Sequence, residues 1–261
     1  MANDAQHLRA KTRSVAGLDA GTREAMWHVF ANYYDGVSRE AFERDLAGKD
    51  HVIVLRDRRD ASVQGFSTLA SFVREVEGRV VVGLFSGDTI VARAYWSQTA
   101  LQRAFLAYAM RLKLRHPFSP VYWFLISKGF RTYLLLARNF PEYWPRHDRP
   151  TAAWQAAVID DFARQRFGDA WSAARGTLVF SECAGKLKHD AAPIDARAAA
   201  LPEVQFFLAR NPGHARGDEL CCLGRIDGRL WLFYMRKLLR RCLTGRKAPR
   251  PAPADDSRAS A

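Results

Sequence analysis

The sequence predicts a mixed α/β fold of the α+β type: a mostly antiparallel sheet flanked by helices, followed by a further segment of helices and strands. Three observations carry this expectation. Runs of β-branched residues joined by tight turns occupy residues 51–91. Apolar residues at helical spacing precede and follow that region. The chain has 261 residues with 48% hydrophobic and 26% charged content, enough to bury a core without staples.

Residues 1–17 carry no apolar period and are expected to form a flexible arm. Asp19 can cap a helix in which Ala25, Met26, Val29, Phe30 and Tyr33 recur at spacings of three and four, and Gly36 breaks it. Ser38 starts a shorter helix that Gly48 ends. Residues 51–55 read as a strand and 57–60 as a polar turn. The next strand, 63–76, has Gly65 near its start, which predicts a bulge there. Glu77-Gly78 turns the chain into a strand at 79–85, and 89–96 follows.

Ser97 or Thr99 can cap the next helix, whose apolar face is Leu101, Ala104, Phe105, Tyr108 and Leu112, with His116-Pro117 as its end. Residues 121–126 read as a buried strand, and 133–137 as apolar core of undetermined type. A helix is expected over 151–174, a short strand at 178–180, a loop at 184–202 and a strand at 220–226. Residues 230–243 form a basic helix, and the Pro-, Ala- and Arg-rich tail from 244 is expected to be disordered. The expected domain division is an arm (1–17), a core (18–150), an extension packed on the core (151–243) and the tail (244–261).

The charge is uneven as well as high. With 40 Lys+Arg against 27 Asp+Glu the net charge is +13, which favours an anionic partner. No acid occurs between Asp88 and Glu142, an interval holding Arg93, Arg103, Arg111, Lys113, Arg115, Lys128, Arg131 and Arg138. Such cations around a helix N-terminus suit a phosphate-bearing ligand. The second cluster is Arg229, Arg236, Lys237, Arg240, Arg241, Arg246, Lys247 and Arg250, and without it the net charge falls to +5. Leu230, Trp231, Phe233, Tyr234, Leu238, Leu239 and Cys242 lie among these cations, so 229–250 suits either core packing or an anionic membrane surface.

Other classes are disfavoured. Cys183, Cys221, Cys222 and Cys242 have no C-x-x-C spacing and read as reduced thiols. The start, Met1-Ala2-Asn3-Asp4, lacks the apolar core of a secretory signal, and no run approaches the ~20 apolar residues of a membrane span. A cytoplasmic protein, or one peripheral to the inner face of the membrane, is expected. No G-x-S-x-G or H-E-x-x-H occurs, so neither a serine hydrolase nor a metal site is expected. Nucleic acid is a weaker partner, because aromatics such as Tyr122, Trp123 and Phe124 sit inside apolar runs where core packing explains them.

Over roughly residues 18–144, the succession of two helices, an antiparallel meander, a helix entered from a strand, a strand and a further apolar segment resembles the GCN5-related N-acetyltransferase (GNAT) superfamily. Its cofactor turn falls at Tyr95-Trp96-Ser97-Gln98-Thr99-Ala100-Leu101, where Ser97, Thr99 and Ala100 supply small residues. The family's glycines are absent, and Trp96 stands where arginine is usual. The resemblance implies an acyl-CoA or acetyl-CoA co-substrate, or an acyl carrier protein, with donor-binding residues Arg93, Trp96, Ser97, Gln98, Thr99, Ala100 and Arg103. It implies a small-molecule amine or amino-acid-like acceptor, deprotonated by Glu75 or Asp88. The oxyanion would be held by an amide of the strand bearing Val82 to Phe85. Tyr133, or else Tyr122, would protonate the leaving thiolate. A non-catalytic binding protein on the same fold, or a basic protein for a nucleic-acid or membrane surface, remains the alternative.

Overall fold

The computed structural model describes residues 7–96, 98–179, 186–187 and 196–244. Its centre is one sheet. The strands β1 (Leu8–Ser14), β3 (His51–Asp57), β4 (Val63–Val76), β5 (Arg79–Val91), β6 (Val121–Ser127), β11 (Glu219–Arg225), β9 (Thr177–Leu178) and β8 (Trp171–Ser172) lie side by side in that order. The short β7 (Tyr143–Trp144) also pairs β11, and a separate ribbon joins β2 (Tyr34–Asp35) to β10 (Lys186–Leu187). Among the described residues every pairing is antiparallel except β5 with β6.

Alternation along the strands assigns helices to the two faces. Ile53 and Leu55 of β3 face the core beneath α3 (Ala100–Arg115), α4 (Phe130–Asn139), α7 (Pro202–Arg210) and α8 (Gly228–Thr244). Val52 and Val54 face the other way, onto α1 (Ala20–Tyr33) and α2 (Arg39–Ala47). Further along that second face, Val81, Phe85, Phe124 and Leu223 meet α5 (Ala153–Phe167). Asp19 and Ser38 cap α1 and α2 as expected, their side chains accepting from the amides of Thr22 and Ala41. The succession of helices and strands through α4 is the one the GNAT resemblance implies.

Several expectations need correction. Residues 8–14 are not a loose arm: they form β1, which pairs β3 from Leu8↔Asp57 to Ser14↔His51. As an edge strand with little of one face covered, β1 needs no alternating apolar set. The sheet itself runs across residue 150, because β11 pairs β6 from Leu220↔Ser127 to Arg225↔Tyr122. The helix expected to reach 174 stops at Gly168, whose φ of 52° continues no right-handed helix. The apolar run 133–137 belongs to α4. The loop at 184–202 contains β10 and the four-residue α6 (Ala196–Ala199). Phe180 and the tail 245–261 lie outside the described residues.

Candidate active site

A bulge in β5 and the end of its ladder with β6 create the site. The bulge expected near Gly65 is present, since the β3–β4 register shifts between Leu55↔Gly65 and Arg56↔Val63. A second bulge lies opposite. β4 and β5 pair at Leu69↔Ser86 and again at Ser67↔Thr89, so Thr68 alone faces both Gly87 and Asp88. The parallel ladder of β5 with β6 ends at Phe85↔Phe124, although β5 runs on to Val91 and β6 to Ser127. The strands part there, and the bulge stands at the parting.

The chemistry gathers around this mouth. Asp88 is half-buried; burial pushes its carboxyl up to about 6, with Asp45 adding to the rise and Lys49 opposing it. Glu219 begins β11, on the far side of β6, and is also half-buried. Burial pushes it up to about 7; Lys128 opposes this and the charge of Asp88 adds to it. The charge of Asp88 thus reaches Glu219 on another strand, and burial brings both carboxyls towards neutrality, where a proton-transferring group is useful.

Lys49 backs the bulge. Its Nζ donates to Asp45 Oδ1 at 2.5 Å and to the Asp45 carbonyl at 3.1 Å, and its side chain is only 2% exposed. The hydroxyl of Thr68, 1% exposed, makes no hydrogen bond to the described residues. Arg166, in the last turn of α5, stacks 4.0 Å from the Phe85 ring centroid, and burial lowers its pKa. Cys221 and Cys222 lie in the core behind Glu219, and burial raises both thiols far above their ordinary range.

Among the described residues of the expected site, Asp88 alone stands at this cleft. Glu75 is exposed beside the Glu77–Gly78 turn, opposite Val80. Eight residues of β5 separate Val80 from Asp88, about 26 Å of strand. The amides of Val82 to Phe85 lie within the paired stretch, so the backbone open towards the cleft is that of Ser86 to Asp88. Tyr122 is 1% exposed and accepts from the Trp154 indole at 3.3 Å. Tyr133 is fully buried; its hydroxyl donates to the Pro145 carbonyl at 2.9 Å, and the rings of Tyr143, Phe206 and Phe207 enclose it. Burial raises Tyr133 far above the ordinary tyrosine value. Both tyrosines sit in the core. Tyr133→Phe is therefore expected to strand the Pro145 carbonyl and cost about 2 kcal/mol, read as a lower denaturation midpoint with donor binding unchanged.

The expected donor residues are also dispersed. The Trp96 indole donates to the Val91 carbonyl at 2.7 Å, and exposed Arg93 lies 5.8 Å from its ring centroid. Gln98 Oε1 accepts from the Leu8 amide at 2.9 Å, which fixes this turn to β1. Tyr95 reinforces that placement by donating to Asp57, while Arg59 beside Asp57 holds the carboxyl well below the usual carboxylate range. Thr99 makes no capping bond from its side chain, Ala100 is buried, and Ser97 lies outside the described residues. The N-terminus of α3 consequently opens beside β1. Arg9, Arg58 and Arg103 line a 290 Å³ depression there, together with Leu8, Ala10, Ala100 and Ala104. Three strand spacings separate β1 from β5, about 14 Å.

Glu219 and Lys49 were not among the residues singled out from the sequence, and Lys128 stood there only as one cation of the acid-free stretch. Their signal is tertiary: strand order alone brings Glu219 to Asp88.

No family model and no curated protein matches the chain. Solved structures do match, each over part of it. A GNAT family N-acetyltransferase from Escherichia coli in complex with CoA is 14% identical, covering 49% of this chain and 67% of that one, with a TM-score of 0.35. A probable N-acyltransferase from Enterococcus faecalis is 13% identical over 60% of this chain and 43% of that one, at 0.40, so less than half of that protein is spanned. An acyl-CoA N-acyltransferase from Pseudomonas aeruginosa is 18% identical over 45% and 78%, at 0.31. At such values nothing about substrate or chemistry carries over.

Proposed function

We propose that the chain is an N-acyltransferase, moving an acyl group from a thioester to an amine at the mouth between β5 and β6. The observation that carries this reading is the pair Asp88 and Glu219, two carboxyls raised to about 6 and about 7 beside unpaired strand backbone. An incoming ammonium gives a proton to one of them. The free amine attacks the thioester carbon, and the oxyanion meets amides of the bulge at Ser86 to Asp88. Collapse breaks the C–S bond: the attacking nitrogen gives its second proton to the other carboxyl, which passes it to solvent, and the thiolate takes the proton held by the first. The products are an amide and a free thiol.

The donor is acyl-CoA, acetyl-CoA or an acyl carrier protein; its phosphates suit Arg9, Arg58 and Arg103 by charge. A thioester arm would then have to cover the ~14 Å to β5. A second reading, a binding protein without catalysis, is favoured by the Gln98 and Trp96 side chains, both of which bond to backbone.

The test is release of CoA from short- and long-chain acyl-CoAs against a panel of primary amines, beside direct donor binding. Amine-dependent release that Asp88→Asn abolishes, with donor binding weakened by Arg103→Glu, supports the transferase. Donor binding without release for any amine leaves the binding protein. If neither CoA thioesters nor an acylated carrier protein binds, both readings fall.

A further inference from the structure

Helix α8 buries one side and leaves an apolar stripe on the other. Leu230 is fully buried, and Phe233, Tyr234 and Lys237 are half-buried. Lys237 Nζ donates to Asn139 Oδ1 at the end of α4, 3.0 Å away, and lies over the Phe233 and Tyr234 rings. Trp231, Leu232, Met235 and Leu239 are 50%, 50%, 46% and 56% exposed. At about 100° per residue these four fall within one arc of about 100°, directly opposite the packed face. Exposed Arg229, Arg236 and Arg240 follow one flank of the stripe. No acid occurs from Gly228 to Ala254.

A second apolar projection stands beside the start of this helix. Phe118 is 99% exposed and Leu114 is 74% exposed. Phe118 lines the same 220 Å³ depression as Arg225 and Asp227, immediately before α8. Four large apolar side chains in one stripe, cations along its edge and a protruding phenylalanine nearby have the composition of a helix lying at a lipid interface.

We propose that the outer face of α8, with Phe118 beside it, docks on an anionic lipid bilayer. The stripe enters the boundary between headgroups and acyl chains, while Arg229, Arg236 and Arg240 meet lipid phosphates. A second copy of the chain fits less well, because face-to-face pairing would bring the same three arginines together. No helix among the described residues is long and apolar enough to cross a membrane, so the attachment is peripheral. The inference stands apart from acyl transfer.

The experiment is co-sedimentation of the full chain with vesicles of phosphatidylcholine alone and of phosphatidylcholine mixed with phosphatidylglycerol. It is run on the parent, on Leu232→Gln with Leu239→Gln, and on Arg236→Glu. Thermal unfolding of each variant controls for folding. Binding is expected only where phosphatidylglycerol is present, about tenfold or more weaker in the leucine variant and clearly weaker in the arginine variant. Trp231 fluorescence, isolated by difference from Trp231→Phe, should be quenched by brominated lipid. Three outcomes overturn the proposal: no vesicle binding, equal binding to phosphatidylcholine alone, or variants that bind as the parent does. A concentration-dependent dimer lost in the leucine variant, without vesicle binding, would assign the face to a second copy instead.

Discussion

Glu219→Gln is expected to make the protein more stable at pH 8 and at the same time to stop it working. The folded-state value of Glu219 is raised from 4.5 to about 7 and that of Asp88 from 3.8 to about 6. A carboxyl raised by folding lends stability in full below its unfolded value, and that contribution is lost as pH rises through the folded value. Stability should therefore decline between about pH 4 and pH 8, by about 3 kcal/mol for each group at most. An amide of the same shape carries no charge to bury, so Glu219→Gln should gain about 3 kcal/mol at pH 8 and almost nothing at pH 4. Asp88→Asn should behave alike, with its window ending lower.

The double variant should gain less than the two singles together, because the charge of Asp88 is one cause of the shift at Glu219. Turnover should fall about a hundredfold or more in either single variant, because each removes one of the two proton-accepting carboxyls. Denaturation midpoints across this pH range, paired with acyl-transfer rates, test both halves. A Glu219→Gln protein less stable than its parent at pH 8 would show that the carboxylate is held by favourable contacts and is not a poised base.

The sequence was legible where signals are local. Asp19 and Ser38 announced their helices because a capping side chain acts within three residues, and the 63–76 and 79–85 strands followed from β-branched runs around Glu77-Gly78. β1 was not legible: in Leu8–Ser14 only Leu8 is buried, so the strand has no buried alternation to display. Ser86-Gly87-Asp88 resembles a strand end, whereas the structure continues β5 through it with a bulge. For the site, Asp88 came from the GNAT resemblance as one of two candidate bases, Glu75 being the other, and nothing in the local sequence separated the two. Glu219 looks like any acid preceding a strand, and only the order β5–β6–β11 gives it a role. The donor turn misled because small residues before a helix say nothing about where that helix begins. Gln98, bonded to Leu8, places the N-terminus of α3 at β1.

Gly65→Ala should cost about 3 kcal/mol, near the upper end for an overpacked site, because the obstacle is backbone. A Cβ at Gly65 would stand 2.3 Å from the Ile90 carbonyl oxygen and 3.0 Å from Val91 Cα. Gly65 pairs with Val91 in the β4–β5 ladder, so β5 cannot retreat without giving up pairing three residues beyond Asp88. Gly87→Ala provides the contrast. Its Cβ would meet Thr68 Oγ1 at 2.6 Å and Lys49 Cε at 2.7 Å, both side-chain atoms, and Lys49 is long enough to shift. That variant should keep most of its stability yet lose acyl transfer, since Lys49 would leave its place behind Asp88. Denaturant midpoints and transfer rates on the two variants separate the roles of the two bulges. Equal and small stability losses in both would mean that β5 yields at Gly65, and that the ladder does not fix the mouth where β5 and β6 part.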